Sequence, residues 1–200
     1  MLAQHLGKPL RERRTVTSAR ELAELVAVSP NDALPAAFHD ALDASPTYRQ
    51  CTQSMPNLGS VPKLHAYRNK FPHYDANGVD AEIKQHGKLP AIGQVLFHGG
   101  IWPGQDGTPV IGEDLTLCGF LSTSFCPQVA AIHAGYHGAE GYLWMITIDA
   151  GIVTPAFFFS SDRRQKLAHE REVLFARGAR VTCTDVRPTA GLTIVEVQIR

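Results

Sequence analysis

Apolar positions recur every three or four residues at the start of the chain and give way to short apolar runs further on. Ser18 and Glu21 form an S-x-x-E capping pattern, after which Leu22, Leu25 and Val26 fall on one helical face, and Pro30 ends that helix. A second helix is predicted from Asn31 or Asp32, with Leu34, Phe38 and Leu42 spaced by four, stopping before Pro46. Residues 46–77 are rich in proline, asparagine and glycine and predict a long connection with at most short helices, anchored to the core by Tyr67 and Phe71. A short helix is expected over 80–86, then a buried strand over 93–98 closed by Gly99 and Gly100, then a glycine-rich loop over 102–114. Further strands are predicted at 120–125, 142–148, 172–175, 180–184 and 192–199, with a helix at 127–134 entered through Pro127 in its first turn. Short strands with few intervening helices give an α+β fold, not a doubly wound parallel sheet. The helical texture occupies residues 1–50 as an N-terminal segment, and 51–200 form the main domain.

Composition narrows the function. The chain has 200 residues, and its 19 lysines and arginines balance 19 aspartates and glutamates. That balance argues against a nucleic-acid partner held by bulk charge. No run approaches the ~18 apolar residues that suggest a membrane span, so no membrane partner is expected. Cys51, Cys118, Cys126 and Cys183 are scattered, with no CxxC pair, and are expected to be buried free thiols. His133 and His137 stand four apart, but no third ligand follows at a matching spacing and Gly135 weakens the helix between them, so no metal is expected. The first 18 residues lack the continuous apolar stretch of a signal peptide. The chain either stays in the cytosol or leaves by a route that needs no such peptide.

Three segments carry the chemistry, and their order matters. The first is Val95-Leu96-Phe97-His98-Gly99-Gly100; the second is Phe120-Leu121-Ser122-Thr123-Ser124-Phe125; the third is His169-Glu170-Arg171-Glu172-Val173-Leu174-Phe175, with Arg177-Gly178 after it. In this order the chain resembles the ADP-ribosyltransferase family. There, a strand ending in Arg-Gly or His-Gly precedes a Ser-Thr-Ser strand and then a Glu-x-Glu loop entering a strand. The resemblance covers residues 90–185 and implies a split β-sheet core and NAD as substrate.

Glu172 matches the catalytic glutamate, which would stabilise oxocarbenium character on the ribose and hold its 2′-hydroxyl. Glu170 lies two residues earlier, on the same face of an extended segment. A glutamate there goes with an arginine acceptor, whose guanidinium it orients and deprotonates. Ser122 would hydrogen-bond the catalytic glutamate or the nicotinamide ribose, while Thr123 and Ser124 keep the strand in register. Phe125 would stack on the nicotinamide or fill the core. Gly99 would let the backbone approach NAD closely.

His98 departs from the pattern. Transferases with Ser-Thr-Ser usually carry an arginine here, on an NAD phosphate, whereas the branch with His-Gly places the histidine on the adenine ribose. A neutral histidine offers one donor and no charge, so either another basic residue compensates, with Lys70 and Arg163 as candidates, or NAD binding is poor. Two readings follow. The chain is a mono-ADP-ribosyltransferase acting on protein arginine, a bacterial effector or toxin secreted without a classical signal peptide and acting in a target-cell cytoplasm. Alternatively, it is a degenerate transferase fold that binds an arginine-rich ligand in the acceptor cleft, such as its own Arg11, Arg13 and Arg14. A tRNA 2′-phosphotransferase of this fold fits poorly, because the basic array is missing.

Overall fold

The computed structural model describes residues 18–30, 36–160 and 167–200. Six α-helices and eight strands are placed among them: α1 (Ala19–Val28), α2 (Ala36–Ala44), α3 (Pro46–Gln53), α4 (Pro62–Lys70), α5 (Ala76–His86), β1 (Val95–Gly100), β2 (Asp114–Thr116), β3 (Leu121–Ser124), α6 (Pro127–Gly135), β4 (Tyr142–Ile148), β5 (Ala156–Phe158), β6 (Glu172–Phe175), β7 (Arg180–Arg187) and β8 (Thr193–Ile199). The fold is α+β, built on one mixed sheet of order β2-β7-β8-β4-β1-β3-β6-β5. Only β4 and β8 run parallel.

Local chemistry explains the helix starts. Ser18 Oγ accepts the Glu21 amide at 3.2 Å while the Glu21 carboxylate accepts the Ser18 amide at 3.2 Å, which satisfies two N-terminal donors of α1 reciprocally. The buried face of α1 is Ala23, Val26 and Ala27; Leu22 is only half-buried and Leu25 faces solvent, a shift from the expected stripe. The predicted start of the second helix, with Leu34, lies outside the described residues. The expected connection at 46–77 is largely helical instead. Pro46 and Pro62 each occupy the first turn of a helix, where a missing N–H costs nothing, so they open α3 and α4 rather than block them. Asp75 caps α5 by accepting the Gly78 amide at 2.9 Å, which starts that helix four residues before the expected position. Tyr67 does reach the interior, but Phe71 is largely exposed.

Two strand boundaries also move. Strand β1 continues through Gly99 and Gly100, which pair with Leu143 and Tyr142 of β4. The loop after it ends in an edge strand, β2, paired with β7. Cys126 and Cys183 are buried as expected, whereas Cys51 is half-buried and Cys118 exposed.

The side chains of the sheet alternate between two faces. One face carries a single core cluster with Trp144, Ile146, Val173, Phe175, Val195 and Val197, covered in part by Leu42 of α2 and by Tyr48 and Cys51 of α3. The other face carries two clusters. Ala23, Val26 and Ala27 of α1 and Ala130 and Ala131 of α6 pack on Phe97, Leu143, Met145 and Ile194. Leu64, Val79 and Ile83 of α4 and α5 pack on Phe157, Phe159 and Leu174. The sheet divides between these two clusters. β1 and β4 are paired over six residue pairs, but β1 and β3 meet at one, Phe97 with Ser124. This is the expected split, and it opens a cleft between α6 and α4.

Candidate active site

The cleft has a volume of about 760 Å³, within the range of cofactor and substrate sites. Phe97, His98 and Gly99 line it from β1, and Ser122, Thr123 and Ser124 from β3; Glu170 and Glu172, Tyr67 and Arg68 complete its base. Of the residues singled out in the sequence, His98, Gly99, Ser122, Glu170 and Glu172 are therefore brought together.

Glu172 opens β6 opposite Ser124 and is 7% exposed. Its Oε1 accepts the Ser122 hydroxyl at 2.8 Å and the Tyr67 hydroxyl at 3.1 Å. Its Oε2 lies 3.9 Å from Nη1 of Arg68, a buried arginine on the same helix as Tyr67. Burial pushes the carboxyl above its ordinary range and Glu170 adds to the shift; the Ser122 hydroxyl, the Arg68 charge and the Tyr67 hydroxyl oppose it. Burial and the neighbouring Glu172 likewise push the Tyr67 phenol up, so it remains a donor.

Glu170 reaches the cleft by a different route from the expected one. Residues Ala168–Glu170 form a single 3₁₀ turn, not a strand, flanked by Leu167 at φ 63° and Arg171 at φ 48°. Left-handed conformations of non-glycine residues cost on the order of 1–3 kcal/mol each and persist only where surrounding contacts impose them. Those contacts are present. Arg68 Nη2 donates to the Leu167 carbonyl, Ser124 Oγ donates to the Glu170 carbonyl at 2.5 Å, and Arg171 forms a two-pronged ion pair with Asp43 at 2.6 and 3.2 Å. Ser124 thus secures the turn, while Thr123 donates to the Val173 carbonyl at 2.8 Å and fixes β3 against β6.

His98 sits in the split itself. Its Nδ1 lies 2.7 Å from the Ser122 carbonyl, an atom that only accepts, so Nδ1 carries the proton and bridges β1 to β3 where ladder pairing fails. The ring meets Trp144 edge-on with centroids 5.0 Å apart. Desolvation pushes its pKa down to about 4 against the pull of the Ser122 carbonyl, with His133 and His137 lowering it further. At neutral pH the ring is uncharged and its free nitrogen is an acceptor, which suits a hydroxyl and not a phosphate.

Other expectations move. Gly99 is required by packing: a Cβ there would run into the carbonyl oxygen of Ala130 and the amide of Ala134 in α6. Phe125 lies outside this cleft; it is buried against Tyr48 and Phe158, so its ring fills the core. Lys70 is exposed and outside the cleft lining, and Arg163 and the Arg11, Arg13 and Arg14 cluster lie outside the described residues. His133 and His137 both line the cleft, but among the described residues no three His, Cys, Asp or Glu side chains gather as a metal-holding group. The residues missed in the sequence are Tyr67 and Arg68. No motif marks them, since they join Glu172 across more than a hundred positions. Tyr67 also anchors an aromatic wall: it meets Tyr74 at 5.0 Å, Phe71 at 6.2 Å and Phe120 at 6.3 Å.

The chain is similar to ADP-ribosyltransferases of known structure. The Vis toxin, an ADP-ribosyltransferase from Vibrio splendidus, is 18% identical, with 94% of this chain and 88% of that one covered at a TM-score of 0.47. The C3 exoenzyme of Clostridium limosum is 17% identical, with 82% and 92% covered at a TM-score of 0.43. Plx2a, an ADP-ribosyltransferase toxin from Paenibacillus larvae, is 14% identical, with 82% and 90% covered at a TM-score of 0.44. No protein-family model and no curated protein matches the chain.

Proposed function

We propose that the chain is a mono-ADP-ribosyltransferase that moves ADP-ribose from NAD to an arginine of a target protein. One arrangement carries the reading. A buried carboxylate, Glu172, is held on one oxygen by two hydroxyls and left with the other beside a buried arginine, at the base of the cleft. Oε2 of Glu172 accepts the ribose 2′-hydroxyl, and its charge stabilises the sugar as the C1′–N bond to nicotinamide breaks. The bonding pair leaves with nicotinamide, whose pyridinium becomes neutral. The aromatic wall of Tyr67, Phe71, Tyr74 and Phe120 suits that pyridinium before it leaves, because ring faces attract cations.

Glu170 acts on the acceptor. A guanidinium nitrogen of the target arginine forms the new bond to C1′, and its proton passes to Glu170. His98 accepts a hydroxyl of the adenine ribose through its unprotonated nitrogen, and the Arg68 charge favours the ionised form of Glu172. With the same reading goes a role as a bacterial effector or toxin acting in a target-cell cytoplasm. Incubation with labelled NAD and a target-cell lysate tests the transfer: label on protein arginine supports the proposal, and label on other residue types, or on none, contradicts it.

A further inference from the structure

Asp43 belongs to α2, in the N-terminal helical segment, and among the described residues no cleft-lining side chain comes from that segment. Its carboxylate nevertheless reaches across 128 positions to grip Arg171 with both oxygens, at 2.6 and 3.2 Å. Arg171 is the left-handed residue that joins the Glu170 turn to β6, and its side chain is almost fully buried. Its guanidinium also lies over the Tyr48 ring at 5.8 Å, so it is pinned between α2 and α3. The opposite end of the turn is tied by Arg68 to the Leu167 carbonyl. Thus Glu170 is held in a strained turn clamped at both ends, and one clamp is anchored outside the cleft.

We infer that Asp43 is a positioning residue for Glu170, through which the N-terminal helical segment governs transfer to the acceptor. The inference rests on the transferase reading above and separates its two half-reactions. Glu172 is fixed by the β3–β6 ladder, by Ser122 and by Tyr67, none of which involves Asp43. Release of Arg171 therefore frees the turn to relax out of its left-handed backbone and takes Glu170 away from the acceptor, while bond breaking at Glu172 persists. Small misplacements of a reacting group cost roughly a hundredfold in rate.

The test compares nicotinamide release in water with transfer to agmatine, a small guanidine, in the full chain. Asp43→Ala and Asp43→Asn are expected to lower transfer roughly ten- to a hundredfold, with hydrolysis and KM for NAD unchanged. The charge swap Asp43→Arg with Arg171→Asp should restore transfer, and loss of transfer with hydrolysis intact is the readout that a merely structural loss would not give. If Asp43→Ala fails to fold, the asparagine variant and the swap give the same comparison. Equal loss of hydrolysis and transfer, or unchanged transfer, overturns the positioning role alone. A wild-type chain that hydrolyses no NAD overturns the transferase reading, and this inference with it.

Discussion

Glu172 is buried where a carboxylate is costly, and its surroundings make that cost visible. Its carboxyl is raised in the folded chain, so the fold holds more protons than the unfolded chain above the ordinary value of 4.5. The contribution to stability is fully present below that value and is lost as pH rises through the folded one. Glu172→Gln removes the buried charge and keeps an acceptor for Ser122 and Tyr67. It should raise the melting temperature at pH 8, with the gap closing near pH 4; a lower melting temperature at pH 8 would mean that Arg68 and the two hydroxyls outweigh burial. The same shift places the acid limb of kcat/KM above the ordinary carboxylate range, and a pH–rate profile on the wild type measures it directly. Glu170→Gln should abolish transfer to agmatine yet spare slow hydrolysis of NAD, since in the proposed mechanism the bond-breaking step uses Glu172. Equal loss of both in that variant would contradict the division of labour.

Among the elements, β1 and β3 meet at one backbone pair, Phe97 with Ser124, and the His98 side chain bridges them beside it. His98→Ala removes the bond to the Ser122 carbonyl and should cost about 1–2 kcal/mol of stability, together with NAD affinity. His98→Arg should bring no gain in NAD affinity, because the ring's place is the gap between strands, against Trp144. Calorimetry showing tighter binding in the arginine variant would place the diphosphate there instead. Gly99→Ala should destabilise by about 3 kcal/mol or more, read from the urea midpoint, because the obstacle is the backbone of α6 and cannot swing aside.

These elements also show where sequence reasoning stops. The strands bearing Ser122 and Glu172 were legible because short apolar runs with fixed polar positions are local patterns, and the Ser122–Glu172 bond follows once those strands pair. The spacing reads Glu170 as a neighbour of Glu172 on one face of an extended segment, whereas it lines the cleft from a 3₁₀ turn. Its turn is imposed by Arg68, Ser124 and Asp43, all distant in sequence. The prolines at 46 and 62 read as breaks, yet each falls in the first turn of a helix, where its missing N–H costs nothing. Phe125 reads equally as site or core, and its contacts with Tyr48 and Phe158, both distant in sequence, place it in the core.

At the scale of the whole molecule, one sheet face is a continuous core and the other is parted into two clusters with the cleft between them. The helical segment contributes to both faces, through α1 beneath β4 and β8 and through Tyr48 on the opposite side. That architecture presents one buried carboxylate to the cleft, and in the proposed mechanism this carboxylate drives cleavage of the nicotinamide–ribose bond. The most direct measurement is release of nicotinamide from labelled NAD by the wild-type chain and by Glu172→Ala, with circular dichroism to show that both are folded. Release by the wild type and a loss of roughly 10²–10³ in rate for the variant are expected. Full activity in folded Glu172→Ala, or no release by the wild type at any NAD concentration, would contradict the proposed mechanism.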